Sequence, residues 1–364
     1  MLRPLILGLK RSGKSAFRLF LREGIVPFTY DDRSPTPVDF SKVARVVVSP
    51  GFAMEHPLIV EALKRGILVQ SEVDLALEKM ANGVLIGITG SNGKSTCVKQ
   101  IEHILLSAGI KAKALGNIEI PLSSEDFKDW EAIVIELSAQ QLETTHQKVL
   151  DLGVILNIQP NHLDRYGTME RYREAKMRIF SLVKPDGESL GPNVPFDRIL
   201  DWLARKFSIP KSTFIDRLST FESLPHRLEY LGDFFGKKIY NDSKSTTISS
   251  TVYALNKVEG PIQLIMGGRS KGEDLQIYKD QFSGASLKRI LAIGETMDEI
   301  HQVFGGSFEV VLCKTLEKAV EEGLKGEGNL LLSPGFSSYD QFLSYAYRGE
   351  AFKQRIEWEK KMLS

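Results

Sequence analysis

The chain has very little cysteine: two residues in 364, Cys97 and Cys313, far apart in sequence. That excludes a disulfide framework, a paired-cysteine metal motif and a redox pair, and predicts two thiols buried as small apolar groups in a reducing cytoplasm. Neither charge is in excess. With 47 Lys and Arg against 46 Asp and Glu, the formal net charge of +1 gives a nucleic acid or a membrane surface nothing to hold. No apolar run is long enough to span a bilayer, and "PLILGL" is too short for a secretory signal and runs straight into charges. Short repeats and low-complexity tracts are missing too. What remains, 42% hydrophobic and 26% charged, is an ordinary soluble composition with room for two or three domains.

Strand-like apolar runs alternate with helical patterns, which predicts parallel sheets joined by crossover helices. The first block runs to about residue 80, with strands "PLILGL", "VPFTYDD", "RVVVSPG" and "GILVQS" and helices at 13–23 and "EVDLALEKMA". The second opens on "VLIGITG". A helix with Val98, Ile101, Leu105 and Ala108 on one face follows, then strands "AIVIEL" and "GVILNI" and an amphipathic helix over 169–183. The third starts near Phe221, with strands "KKIYND", "PIQLIMGG", "RILAIGE", "FEVVLC" and "NLLLSPG". Between 184 and 220 the one clear pattern is helical: Phe196, Ile199, Leu203 and Phe207.

Two stretches compete for a phosphate. "GLKRSGKS", residues 8–15, fits the general ATP-binding pattern letter for letter; "GITGSNGKST", residues 87–96, does not, because Ile88 stands where the first glycine belongs. Both follow a strand and open a helix, so both can turn backbone N–H groups toward an anion. After the first stretch the next strand ends in Asp31 and Asp32, about twenty residues beyond Gly8, the layout of a dinucleotide-type first unit without its middle glycine. A turn that merely packs helix on strand remains the alternative there, and Lys14 reads as a solvated first-turn lysine. In the second stretch Gly90 and Gly93 let the backbone curl around phosphate oxygens, Lys94 can reach the β and γ oxygens and Ser95 can hold Mg²⁺.

The neighbouring strands support the second stretch. "AIVIE" delivers Glu136 at its carboxyl end, where a carboxylate meets Mg²⁺, and "GVILNIQPNH" leads to His162. Lys176 lies four after Tyr172 and three before Ile179, on the apolar face that Val183 extends. A bare ammonium is costly there; it pairs, loses its proton or is modified, a carbamate formed with CO₂ being one modification that yields an anion. From the pattern alone, a lysine snorkelling to the surface stays open.

Together "GITGSNGKST", "GNIEIPL", "ELSAQQLETT", "NHLDRYGTMERYREAKMRIF", "LPHRLE", "YNDSKSTT", "GGRSKGED" and "SPGFSSYDQF" resemble, in order and over nearly the whole chain, the Mur ligases, ATP-dependent amide ligases of peptidoglycan assembly, and among them the members that add D-glutamate. The resemblance implies three α/β domains: a Rossmann-like one over 1–81 for the UDP-substrate, a shortened P-loop-type ATPase over 82–220, and a Rossmann-like one over 221–364 for the amino acid. The implied substrates are ATP, UDP-N-acetylmuramoyl-L-alanine and D-glutamate, joined through an acyl phosphate by a cytoplasmic monomer. By the same resemblance Gly90, Ser91, Asn92, Gly93, Lys94, Ser95 and Thr96 cradle ATP, with Arg227 and Asp242 meeting the nucleotide from the third domain. Ser95 and Glu136 hold one Mg²⁺; His162 and a carbamate on Lys176 serve a second. Gly8, Leu9, Lys10, Arg11, Ser12, Gly13, Asp31, Arg33, Ser49, Gly51, Asn117 and Ser138 fall to the UDP-substrate. Lys244, Thr246, Lys271, Ser338 and Tyr345 fall to D-glutamate.

There are departures from the family pattern. The central domain is short, and its usual H-N-x-x-N motif near adenine is absent, with Asn193 the one asparagine that matches. Pro160 stands where an acidic pair is usual, and Tyr345 where phenylalanine is common. Two alternatives follow: a ligase with another acceptor (L-lysine, diaminopimelate or L-alanine), or a lapsed homologue that only binds a UDP-sugar.

Overall fold

The computed structural model describes residues 2–80, 83–118, 120–270, 272, 274–283 and 286–363. The chain divides into two compact units, Met1–Phe221 and Glu222–Ser364. Residues 81 and 82, where the first expected domain boundary falls, lie outside the described residues.

The first unit holds two sheets. Strands β1 (Arg3–Leu7), β2 (Phe28–Tyr30), β3 (Val43–Val48) and β4 (Leu68–Ser71) pair in parallel in the order β2-β1-β3-β4. Strands β5 (Val84–Thr89), β6 (Ala112–Gly116), β7 (Ala132–Glu136), β8 (Leu150–Ile155) and β9 (Val183–Leu190) form the second, also all parallel, in the order β6-β7-β5-β8-β9. The central strands are mostly apolar because helices cover both faces. Ile86, Ile88, Val134 and Val154 pack on one side with the helix Lys94–Ser107, and Leu85, Ile133, Ile135 and Ile155 on the other.

A short turn, Leu122–Ser124, ties the two sheets together. Ser123 gives its N–H to Glu72 Oε1 (2.6 Å) and its hydroxyl to Ser15 (2.8 Å), and its carbonyl accepts from Arg22 Nη2 (2.7 Å). Arg11 reaches across to the Ile118 carbonyl at 3.2 Å. A second seam forms where Asp74 Oδ1 accepts the N–H groups of His146 (2.6 Å) and Gln147 (3.0 Å).

The second unit is one sheet: β10 (Glu229–Phe234), β11 (Lys237–Asn241), β12 (Ile262–Gly267), β13 (Leu287–Ile293), β14 (Glu309–Lys314) and β15 (Asn329–Leu332), in the order β10-β11-β15-β12-β13-β14. Only β10 runs antiparallel, as a hairpin with β11. No helix among the described residues is long and apolar enough to cross a membrane. Cys97 and Cys313 are both buried.

The structure corrects one expected element. The helix over 169–183 ends at Met177, and Arg178–Leu182 tightens into a 3₁₀ turn before β9. In that tighter winding Ile179 and Leu182, three apart, fall on one face, and both are buried in the core.

Candidate functional site

The chain leaves β5 at Thr89 and turns through Gly90–Gly93 into the helix Lys94–Ser107. Gly93 sits at the N-cap with φ 80, in the left-handed region that a side chain disfavours. The entry is therefore tight, and the first N–H groups of the helix, including those of Ser95 and Thr96, face the space ahead of it. The loop is braced from the segment after β8. The Asn157 carboxamide accepts the Asn92 N–H at 2.9 Å and donates to the Asn92 carbonyl at 3.0 Å. The Ser91 hydroxyl donates to the Gln159 carbonyl and accepts the Gln159 N–H, both at 2.9 Å. Neither Asn157 nor Gln159 stands out in the sequence; the available signal was their place just past the strand beside β5.

Lys94 curls back on its own loop, donating to the carbonyls of Gly90 (2.8 Å) and Ser91 (2.9 Å). Lys176, on the helix Met169–Met177, donates to the same Gly90 oxygen at 2.8 Å. It is 1% exposed, with its ammonium 4.6 Å from the centre of the Tyr172 ring. Burial, and then the Lys94 charge, push its pKa well down, while Glu136 pulls the other way. The snorkelling alternative is therefore ruled out.

Glu136, at the end of β7, is held at both oxygens: Ser95 Oγ donates to Oε2 at 2.5 Å and Asn117 Nδ2 to Oε1 at 3.1 Å. Gly116 makes this approach feasible, since a Cβ there would stand 2.4 Å from the Glu136 carbonyl oxygen. Ser138 caps the helix Ala139–Leu142 through the Gln141 N–H (3.2 Å). His162 has φ 55, and its ring centre lies 6.2 Å from that of Tyr172. Lys94, Asn117, Ser138, His162 and Lys176 line one cavity of about 320 Å³, with Pro50 and Gly51 on its other side. The Ser95 hydroxyl and the Glu136 carboxylate are hard oxygen donors suited to Mg²⁺. Among the described residues no cluster of three His, Cys, Asp or Glu side chains could encase an ion. That donor set fits a cation completed by water and phosphate oxygens.

The glycine turn after β1 is packed hard. A Cβ on Gly13 would lie 1.8 Å from the Gly8 carbonyl oxygen, so the helix Arg11–Arg22 can start there only on glycine. Ser49 Oγ donates to the same oxygen at 3.0 Å. Asp31 Oδ2 accepts the Leu9 N–H at 3.1 Å, and Arg33 binds both of its oxygens at 2.7 and 3.0 Å, which holds the carboxyl well below the usual range. Lys10, Arg11 and Lys14 are exposed, and Ser12 is half-buried.

In the second unit Lys244 and Tyr345 come together, the ammonium 4.0 Å from the ring centre. Ser338 is buried and Thr246 half-buried. Lys271 lies outside the described residues. Asp242 is buried, its oxygens taking the Leu228 N–H and the hydroxyls of Ser245 and Ser333. Burial pushes its pKa up to about 6. The preceding turn carries Arg227, between His226 at φ 61 and Leu228 at φ 48.

Sequence reasoning missed Arg348. It is 1% exposed and donates to Ser243 Oγ (3.0 Å) and to the carbonyls of Ser243 (3.0 Å) and Phe336 (3.1 Å). One guanidinium thus fastens the loop after β11, which carries Lys244, to the loop after β15, which carries Ser338. The signal was present: Arg348, Phe352 and Ile356 make a buried stripe on the helix Tyr345–Leu363. Arg348→Ala is expected to destabilise the unit by about 3 kcal/mol in denaturant unfolding, because several buried acceptors lose a charged donor. An unchanged unfolding midpoint would remove Arg348 from the stability of this unit.

A family model for the Mur ligase middle domain matches residues 88–213. The UDP-N-acetylmuramoylalanine--D-glutamate ligase of Chlamydia felis is 36% identical over 350 positions, covering 85% of this chain and 83% of its own. The enzyme of the same name from Chlamydia muridarum is 32% identical over 425 positions, covering 99% of each chain. With 425 aligned positions and 364 residues, this chain has no residue at 61 or more of them. Among solved structures, MurF from Acinetobacter baumannii has a TM-score of 0.60 at 15% identity, covering 97% of this chain and 90% of that one, a likeness of fold alone.

Proposed function

The chain belongs to the Mur ligases, and on that premise we propose that it joins D-glutamate to UDP-N-acetylmuramoyl-L-alanine at the expense of ATP, in the cytoplasm. The observation that carries the reading is the single cavity onto which Lys94, Asn117, Ser138, His162 and Lys176 open beside the Pro50–Gly51 loop.

The substrate carboxylate attacks the γ-phosphorus; a P–O bond forms, the bond to ADP breaks, and an acyl phosphate results. The D-glutamate amine then attacks the acyl carbon, and the tetrahedral adduct expels phosphate while the nitrogen gives a proton to water. Lys94 leaves the loop carbonyls to meet the β and γ oxygens, whose charge spreads during transfer. Mg²⁺ on Ser95 and Glu136 would draw charge from the same oxygens. Asn117 keeps Glu136 aimed, and Ser138 faces the substrate. Lys176 would accept CO₂ at Nζ, losing a proton, to become an anion beside His162 that serves a second ion. Ser49, Gly51, Asp31 and Arg33 would hold the UDP-substrate. Lys244, Thr246, Lys271, Ser338 and Tyr345 suit a dicarboxylate acceptor through cations and hydroxyls.

Phosphate release with each acceptor tests the reading. D-Glutamate is expected to give turnover that L-lysine, diaminopimelate and L-alanine do not. Turnover with one of those instead would keep the ligase and change its acceptor. Binding of the UDP-substrate without phosphate release under any acceptor would favour the lapsed homologue, a reading that rests on the shortened 184–220 segment.

A further inference from the structure

We infer that Arg165 is a positioning residue that fixes the Ser49–Phe52 loop against the wall of the phosphate cavity; the inference rests on the ligase reading above. Its Nη1 donates to the Pro50 carbonyl at 2.8 Å, and its Nη2 to the Phe52 carbonyl at 3.0 Å and to Glu143 Oε2 at 2.8 Å. The ion pair with Glu143 is mostly shielded, the two side chains being 18% and 16% exposed. The partners lie on two segments, the Ser49–Phe52 loop and the end of the helix Ala139–Leu142. Pro50 and Gly51 form one side of the cavity. Glu143 ends the helix Ala139–Leu142, whose first turn presents Ser138 and Gln140 to the same space. Arg165 itself rides on the short helix Leu163–Tyr166, anchored at the His162 carbonyl, which accepts the N–H groups of Arg165 (3.1 Å) and Tyr166 (3.0 Å).

The loop needs such a donor. Its own turn closes through Phe52 N–H to the Ser49 carbonyl at 3.1 Å, a bond that uses neither the Pro50 nor the Phe52 carbonyl. A planar guanidinium presents diverging N–H groups in one rigid fork and can meet both carbonyls and a carboxylate at once; a lysine ammonium is a point charge on a flexible stem. The same loop reaches the expected UDP end, where the Phe52 ring packs edge-on to His56 (4.9 Å) and Tyr30 (6.4 Å). Arg165 therefore sets where a UDP-linked carboxylate comes to rest relative to ATP, without touching either.

Steady-state kinetics on the full chain separates this from a merely structural role. Arg165→Ala is expected to lower kcat/KM for UDP-N-acetylmuramoyl-L-alanine by about 10²-fold, a typical loss for a misplaced reactant, while the KM for ATP moves by less than about 3-fold. Arg165→Lys should recover part of the loss. Glu143→Gln, which keeps both carbonyl bonds, should lose less than about 5-fold. Parallel changes in both substrates, or no change in either, would overturn the inference. If Arg165→Ala fails to fold, the lysine variant decides by the same split. Wild-type protein that releases no phosphate with the three substrates overturns the ligase reading and this inference with it. Normal wild-type turnover with unaffected variants overturns this inference alone.

Discussion

Lys94→Ala is expected to abolish turnover, while Lys14→Ala leaves ATP affinity unchanged. Both lysines sit in a G-K-S sequence after a strand, and Lys14 has the better match to the general pattern. The surroundings separate them. Lys94 lies one residue from the Ser95 hydroxyl that holds Glu136, and it shares the Gly90 oxygen with Lys176. Lys14 is exposed on a helix whose glycine contact is explained by packing. A cation that meets the transferring phosphoryl oxygens acts more strongly in the transition state than in the ground state, so its loss costs on the order of 10³-fold or more in rate. Titration with a non-hydrolysable ATP analogue and phosphate release read the two variants. If Lys14→Ala lost nucleotide binding and Lys94→Ala kept it, the ATP site would move to the first sheet.

Lys176→Ala should be nearly inactive yet folded, since alanine suits a helix interior. The geometry is hard to reconcile with a resting ammonium: the side chain is enclosed, a second ammonium shares its acceptor, and burial depresses its pKa. A depressed pKa raises the share of neutral amine at neutral pH, and only the neutral amine adds CO₂. As pH falls the ammonium form returns, so activity should drop toward low pH and when CO₂ and bicarbonate are removed. Loss of one anionic group near the transferring phosphate removes roughly 3–4 kcal/mol, a rate loss on the order of 10²–10³. Acetate, placed in the vacated anion site, should restore part of the activity of the alanine variant. Near-wild-type turnover in that variant would remove Lys176 from the chemistry.

What could be read in the sequence follows from what each feature demands of its residues. A phosphate loop needs glycines, a lysine and a hydroxyl in fixed order, and the strand that feeds it needs an unbroken apolar run; both stand out. So did the conflict posed by Lys176 on an apolar stripe. Strands β9 and β10 did not. "VKPDGESL" and "EYLGDF" lie at sheet edges, pair on one side only and bury little, so neither alternation nor an apolar run marks them. The bracing by Asn157 and Gln159, and the Arg165 and Arg348 fastenings, were illegible for another reason. Each works through backbone carbonyls or amides, and any residue type carries those, so a pattern search sees one polar side chain and none of its partners.

The turn Leu122–Ser124 has a consequence for how such a chain can be inherited. Ser123 alone donates to Glu72 and Ser15 and accepts from Arg22, and the buried Glu72 depends on that one amide. A recombination event that joined this first sheet to the second sheet of a distant relative would hand Glu72 a foreign turn. If the amide were displaced, a buried carboxyl group would stay enclosed with no donor, a cost of about 2 kcal/mol or more against a marginal stability. The two sheets of the first unit should therefore pass between lineages as one piece, and chimeras that divide them need the 122–124 turn to travel with residues 15, 22 and 72.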